Sequence, residues 1–370
     1  MRSRYLFWSH DGFGLGHVRR NSLIAAAILV HEPDAEIVLV TGVAVRPSWL
    51  GAGNVRVVHV PSMLKDQDGA YRHEALPFEV AVGRRARMFH RTVEEFRPDV
   101  VVVDRHPYGI AGELRRGLDL AHRQGAAVVL GLRDVLDEPS NVRDELAGEG
   151  WAGVADAFDA LLVYGDQVLC DHEVEYGVPL IPIYCGWVVE RPAPTTRDER
   201  LLVVTAGGGG DGEAVFRLGL GLAHVLLDHR VMLVAGPYAT RYDASADGDF
   251  DGRLTVVRDV PGCVELFARA GAVVQMAGYN STAESLAAGV RPVLVPRRSP
   301  RREQAIRASR LASMGLADVV DEHAPADEVA WLVRRSRQLC AGQLAANGLR
   351  IDGAHEAASV LRSMAAVPAP

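Results

Sequence analysis

Lysine is almost missing from this chain of 370 residues: its 40 Lys and Arg residues include a single lysine, Lys65. Against 47 Asp and Glu they leave a formal net charge of -7. A dedicated nucleic-acid binder carries a basic excess, so no nucleic-acid partner is expected. Cysteine is scarce. Cys170, Cys185, Cys263 and Cys340 stand far apart with no Cys-x-x-Cys or Cys-x-x-His spacing, which argues against a structural zinc site. A chain of this length also needs no disulfide staples to bury a core. No apolar run approaches the roughly 20 residues of a membrane span. No signal-peptide pattern precedes the first apolar run, residues 5–8, and the expected location is cytoplasmic. Two nucleotide signatures are missing as well. No Gly-x-x-x-x-Gly-Lys-Ser/Thr occurs, which excludes a P-loop. The first glycine loop has His17 where the dinucleotide fingerprint has a glycine, and Thr41 and Gly42 where it has an acid, which argues against NAD or FAD.

The composition that remains is that of a globular protein, with 48% hydrophobic and 24% charged residues. Arginine in place of lysine, with abundant Ala, Gly and Val, is the usage of a GC-rich bacterial gene. Short runs of Val, Leu and Ile alternate with longer segments of helical pattern. RYLFWS, AEIVLVT, VRVVHV, DVVVVD and AAVVLGL are apolar throughout, as strands of a parallel sheet covered on both faces must be. Phe78–Phe96 and residues 110–124 are long enough for crossover helices. VVERPAPTTRDER, residues 188–200, lacks apolar periodicity and reads as a linker. The alternation then restarts with LLVVTA, RVMLVAG, LTVVRD, AVVQMAG and VRPVLVP as strands. Residues 213–227, 261–270, 281–288 and 301–314 are the helices between them. The expected organisation is an α/β domain over residues 1–189, a linker over 190–200 and a second α/β domain over 201–370, whose last helix can pack back on the first domain. Open parallel sheets bind ligands beyond the carboxyl ends of their strands, so the site is expected in the cleft between the halves.

Three segments carry chemistry. SHDGFGLGHVRRN, residues 9–21, joins a strand to a helix, and Gly12, Gly14 and Gly16 permit close backbone approach at a helix N-terminus, a place that favours negative charge. His17 in the first helical turn is the first choice for a general base, with Asp11 as the nearby alternative; the plain reading is a capping histidine on a surface turn. TAGGGGDGEA, residues 205–214, repeats the arrangement in the second half. Thr205, Gly207, Gly208 and Gly209 can form a nest of N–H groups for an anion. In the third segment Gly278 follows a strand, and Asn280, Ser281 and Thr282 could cap a helix whose first turn carries Glu284. That glutamate is either a capping-box acid or the acceptor of a ribose diol's hydrogen bonds. Arg297, Arg298, Arg301 and Arg302 cluster past the next strand, either as a solvated basic face or as partners of a diphosphate; Glu303 and Gln304 would hydrogen-bond a hexose.

These motifs resemble the GT-B glycosyltransferases, most closely the family 28 type that includes the lipid II-forming N-acetylglucosaminyltransferases. The family's glycine loop ending in histidine is similar to residues 12–17, its second glycine loop to residues 207–210. Its Gly-x-x-Ser/Thr-x-x-Glu helix matches Gly278, Ser281 and Glu284, and its donor-sugar pair resembles Glu303–Gln304. The resemblance covers nearly the whole chain. It implies two Rossmann-like domains with parallel sheets facing a central cleft. It implies inverting transfer of a hexose from a nucleoside diphosphate sugar, with UDP the default, to a hydroxyl. In this reading the nucleotide sugar is a substrate, and no cofactor is needed. The family's base contact falls near Val257, Arg258 and Asp259. Two departures stand out: Arg307 replaces the asparagine usual after the polar pair, and residues 65–77 have no counterpart in the peptidoglycan enzyme, so its lipid acceptor does not carry over. A small-molecule acceptor against the first half, with residues 62–77 as a candidate lid, is the expectation, with a natural product the candidate.

No Asp-x-Asp pair sits in a suitable loop, since DGDFDG, residues 247–252, reads as an exposed turn; metal-independent chemistry follows. Asp104, closing DVVVVD with Arg105 and His106 after it, is a second candidate for orienting the acceptor or the base. The helix over Phe78–Phe96 carries Arg84, Arg85, Arg87 and Arg91. An anionic membrane contact and an ordinary basic solvent face both fit it, and the second is preferred. Monomer and homodimer are both compatible with the sequence. The rival function is hydrolysis of a nucleotide sugar, because GLGHVRRNSLIA also resembles the N-terminal loop of the hydrolases of the pseudaminic acid pathway. A non-hydrolysing epimerase and a non-catalytic sugar-nucleotide binding protein are further alternatives.

Overall fold

The structure, a computed structural model, describes residues 2–9, 15–43, 54–65, 71–208, 212–236, 250–258, 260, 262–335 and 338–366. The chain divides into two compact units, Met1–Val188 with Asp352–Pro370, and Val189–Ile351.

The first unit is built on seven strands: β1 (Arg4–Ser9), β2 (Glu36–Thr41), β3 (Val55–His59), β6 (Val100–Asp104), β7 (Ala127–Arg133), β8 (Ala160–Tyr164) and β9 (Pro182–Tyr184). Their order across the sheet is β3-β2-β1-β6-β7-β8-β9, parallel at every pairing. A separate antiparallel pair, β4 (Leu64–Lys65) and β5 (Tyr71–Arg72), lies in the segment considered above as a lid. The helices are α1 (Gly16–His31), α2 (Phe78–Phe96), α3 (Arg115–Arg123), α4 (Pro139–Ala147), α5 (Val154–Ala157) and α6 (His172–Tyr176). Every residue of β6 and β8 is buried, the consequence of a sheet covered on both faces.

α2 is amphipathic, but its basic face is smaller than its sequence implies. Arg85 falls on the same side as Ala81 and Phe89, one turn before and after it, and is 2% exposed. Its Nε donates to Glu113 Oε1 at 3.0 Å and its Nη1 to the Pro61 carbonyl at 2.9 Å, and its guanidinium lies 4.8 Å from the Trp8 ring. Burial pulls its proton affinity down and Glu113 restores part of it. Arg85 therefore belongs to the core and not to the solvent face.

Among the described residues the second unit has six strands, β10 (Asp198–Thr205), β11 (Arg230–Val234), β12 (Leu254–Val257), β13 (Ala270–Gln275), β14 (Val293–Leu294) and β15 (Asp318–Val319), in the order β12-β11-β10-β13-β14-β15. All pairings are parallel. Its helices are α7 (Glu213–Val225), α8 (Val264–Arg269), α9 (Tyr279–Ala287), α10 (Glu303–Ser313), α11 (Ala326–Arg334) and α12 (Gln343–Ala346). Strand alternation splits the core in two. Leu202 and Val204 pack with Leu222 and Val329 on one face, while Leu201 and Val203 pack with Phe267 on the other. β14 is shorter than the run VRPVLVP suggests, because Pro292 has no N–H to give a ladder and Pro296 follows closely.

The last helix, α13 (Gly353–Ala365), belongs to the first unit, where it packs on α1. Gly353 N donates to the Trp187 carbonyl at 3.0 Å, and a Cβ on Gly353 would stand 2.3 Å from the Gly186 carbonyl oxygen. Ala354, Ala357, Ala358 and Leu361 are buried. Arg362 Nε bonds Glu32 Oε1 at 2.9 Å, and Glu32 Oε2 accepts from the Tyr5 hydroxyl at 3.0 Å. Among the described residues no helix is long and apolar enough to cross a membrane. Leu361 is fully buried in this contact, so Leu361→Ala is expected to destabilise the first unit by about 2–5 kcal/mol. Urea unfolding followed by tryptophan fluorescence measures this, since Trp8, Trp151 and Trp187 all lie in that unit.

Candidate active site

In the first unit β1 and β6 are neighbours, so the start of α1, which follows β1, lies beside the carboxyl end of β6. Asp11 and Gly14 lie outside the described residues; Gly16 opens α1 and His17 is its second residue. Asp104 closes β6 and has no exposed surface. Three groups meet at one of its oxygens. Arg20 Nη2 donates to Asp104 Oδ2 at 2.5 Å, His17 Nδ1 lies 3.2 Å from the same oxygen, and Arg20 Nη2 and His17 Nδ1 are 3.2 Å apart. Arg20 is 2% exposed and its guanidinium lies 5.0 Å from the Tyr164 ring, whereas the His17 side chain keeps 23% of its surface. Burial pushes the Asp104 carboxyl up, but the charges of Arg20 and His17 outweigh it and hold the group down at about 2.

One nitrogen cannot serve both neighbours at once. His17 Nδ1 either donates to Asp104 or accepts from Arg20. In the first case the proton is on Nδ1 and Nε2 is the basic nitrogen of the ring; in the second the positions are reversed. Behind this cluster, Asn21 Nδ2 donates to Ser9 Oγ at 2.9 Å and ties α1 to the end of β1.

Arg105 follows in the left-handed region, φ 75°, costly for a side chain with a Cβ, and is itself buried. Its N–H donates to the Gly131 carbonyl at 2.9 Å and its Nη2 to Glu145 Oε2 at 2.7 Å, while His106 Nδ1 stands 3.8 Å from Glu145 Oε1.

In the second unit the glycine loop leaves the end of β10. The buried Thr205 hydroxyl donates to the Val234 carbonyl and accepts from Gly207 N, each at 3.1 Å. Gly207 is left-handed, φ 67°, and Gly208 is exposed beside it; Gly209 lies outside the described residues. Gly236, at the end of the next strand over, permits this course: a Cβ there would stand 2.3 Å from the Gly207 carbonyl oxygen. Arg258, which follows β12, is exposed.

The helix after β13 differs from its sequence reading. α9 begins at Tyr279 with Gly278 as its N-cap, so Asn280, Ser281 and Thr282 lie inside its first turn and do not cap it. The Ser281 hydroxyl donates to the Gly278 carbonyl at 3.3 Å instead of accepting from a backbone N–H. Glu284 consequently sits past the first turn, and no capping box forms. Its Oε2 accepts from Cys263 N at 3.2 Å, which ties the end of one loop to the middle of α9.

Glu303 and Gln304 open α10 and are both buried. Glu303 Oε1 accepts from Arg297 Nη2 at 2.9 Å and Gln304 Oε1 from Arg297 N at 3.2 Å. The exposed Arg298 pairs with Asp321 at 3.3 Å. Arg307 is wholly buried and donates to the Ala277 carbonyl at 2.7 Å, beneath the entry to α9. Sequence reasoning did not pick out Arg20, Gly236, Asp321 or Cys263. The spacing of Arg20 three residues after His17, one turn along the same helix, was the only available signal for any of them.

Two parallel α/β units of this kind, covering the whole chain, make the architecture of the GT-B glycosyltransferases. Three solved structures show the likeness. The glycosyltransferase of kitacinnamycin is 16% identical with a TM-score of 0.70, over 98% of this chain and 99% of that chain. MurG of Acinetobacter baumannii is 15% identical with a TM-score of 0.56, over 99% and 98%. UGT2 of Phytolacca americana, solved with UDP-2-fluoro-glucose and pterostilbene, is 14% identical with a TM-score of 0.60, over 99% and 94%. At such identities the likeness speaks for the fold. No protein-family model and no curated protein sequence matches the chain.

Asp104 stabilises the fold only while ionised. Its carboxyl is held at about 2 when folded, against about 3.9 in an unfolded chain. The stabilisation is present above pH ~4 and is lost as the pH falls toward ~2, an amount of about 2 kcal/mol. Asp104→Asn is accordingly expected to flatten the acid limb of the stability curve over that range, measured by urea unfolding at a series of pH values.

Proposed function

We propose that the chain is an inverting, metal-independent glycosyltransferase that moves a hexose from a nucleoside diphosphate sugar, with UDP as the nucleotide, to a hydroxyl of a small-molecule acceptor. The observation that carries this reading is the meeting of His17 with a buried, ionised Asp104 at the carboxyl edge of the first sheet. Titratable side chains held in that way at a ligand-binding edge are suited to proton abstraction. The fold supports it, since UGT2 of Phytolacca americana, which shares that fold, is solved with UDP-2-fluoro-glucose and pterostilbene.

In this mechanism His17 Nε2 takes the proton of the acceptor hydroxyl. The acceptor oxygen forms a bond to the anomeric carbon, and the bond from that carbon to the diphosphate breaks with its electron pair on the departing UDP. Asp104 holds the ring in the Nδ1–H form and stabilises the imidazolium. The second unit contributes the nucleotide site. Backbone N–H groups around Gly207 and Gly208, with the N-terminus of α9, suit the diphosphate, and Glu284 suits the ribose diol. No metal ion enters the scheme, because fixed N–H donors do the work of charge stabilisation.

A thermal-shift screen of nucleoside diphosphates and their sugars, followed by assay with and without phenolic or polyketide acceptors, tests the reading and separates transfer from hydrolysis. Glu284→Ala should weaken UDP binding by calorimetry; an unchanged affinity removes the ribose assignment. His17→Ala should keep UDP affinity and lose about 10²–10⁴ in turnover, with EDTA leaving the wild-type rate intact. A near-wild-type rate in the variant, or a strict Mg²⁺ or Mn²⁺ requirement, would contradict the mechanism.

A further inference from the structure

The reading of His17 as base treats Asp104 as its sole partner, but the geometry brings a third member. Arg20 is a turn further along α1, as buried as Asp104 itself, and closer to the shared Oδ2 than the imidazole is, 2.5 Å against 3.2 Å. We propose that Arg20 is a positioning residue of the reaction: by occupying Asp104 it selects the Nδ1–H tautomer of His17 and sets the charge that the site carries when it takes up a proton. The inference rests on His17 being the base.

The tautomer follows from hydrogen-bond bookkeeping. Arginine has no acceptor and cannot give up its proton in a protein, so Asp104 Oδ2 receives one bond from Arg20 permanently. The carboxylate is thereby fixed in place, with a further lone pair for the imidazole Nδ1–H. If the ring instead presented Nδ1 as an acceptor to Arg20 Nη2, its proton would sit on Nε2 and the basic nitrogen, Nδ1, would be occupied by the arginine. The ionised Asp104, adjacent to the same Nδ1, favours the first arrangement.

The charge follows from counting. A histidine–aspartate pair is negative at rest and neutral after proton uptake. With Arg20 included, the cluster is neutral at rest and carries one positive charge after uptake. Other charged groups nearby leave this count unchanged: Arg105 and Glu145 form their own pair, His106 lies against Glu145, and Tyr164 presents its ring to Arg20.

The test is a titration of His17 by ¹⁵N and ¹³C NMR on wild type, Arg20→Met and Arg20→Lys, with the pH dependence of kcat/KM measured in parallel. Wild type should show the Nδ1–H tautomer. Arg20→Met should raise the His17 midpoint by on the order of one pH unit and move the acid limb of kcat/KM with it. Arg20→Lys, which keeps the charge, should stay close to wild type and serves also if the methionine variant fails to fold. A purely structural arginine would lower the amplitude in both variants without moving either midpoint, and that result overturns the proposal. So does an Nε2–H tautomer in wild type. The NMR titration needs no substrate, so a failure to transfer sugar would count against the glycosyltransferase reading and leave the role of Arg20 to be decided on its own.

Discussion

A carboxylate with no exposed surface stays ionised only where fixed cations outweigh the loss of water around it, and the end of β6 is such a place. Asp104 closes a strand of four valines buried on both faces, so it cannot turn to solvent. The neighbouring strand, β1, feeds directly into α1, and α1 supplies Arg20 from within its buried side. The strand order therefore determines the site. Because β1 and β6 are adjacent, residues 84 apart in sequence share one oxygen atom. Asn21 and Ser9 pin the same corner, and their bond fixes the rotation of α1 on which the direction of His17 depends.

The second unit solves a different problem at the same edge of its sheet. At the end of β10 the Thr205 hydroxyl holds the Val234 carbonyl and Gly207 N together. Gly236 lets the loop lie directly on the end of β11. A little further along the sheet, Arg307 supports the entry to α9 through the Ala277 carbonyl, and Glu284 reaches back to Cys263 N. The Arg307 guanidinium replaces an amide expected from the family resemblance. It is buried in the scaffold, while Glu303 and Gln304 are drawn into bonds with Arg297. Arg297 thereby holds the two side chains as one unit.

Much of the fold was legible because parallel strands buried on both faces are apolar along their interiors, and β1, β2, β6 and β7 carry polar residues only at their ends. β8 escaped notice: ALLVY is a run of five whose Ala and Leu favour helix as readily as strand. The start of α9 was misplaced because Asn280, Ser281 and Thr282 are all good caps. The Gly278 backbone had already turned, and a side-chain preference cannot show that. Arg85 and Arg20 were hidden for a common reason. An arginine in a helix reads as a solvent residue, and its burial depends on a carboxylate contributed by a distant element, Glu113 or Asp104. The members of the site were visible as single residues at strand ends; their convergence was not, because it depends on strand order.

The contrast between the two sheets bears on why one fold would carry such unlike loops. Both present carboxyl strand ends, where ligands of open sheets bind. The first places titratable side chains there, with charges compensated so that proton uptake changes the balance by one unit. The second places bare backbone there, whose N–H groups hold a constant partial charge at any pH. A reaction that removes a proton at one reactant and releases an anion from the other needs both kinds of group, and they conflict if mixed. A bound diphosphate beside a histidine would draw its proton affinity upward, and a titrating histidine beside a diphosphate would make nucleotide binding vary with pH. Separating them into two units, each with its own sheet and core, allows the base to be tuned by Arg20 without altering the groups proposed to hold the nucleotide.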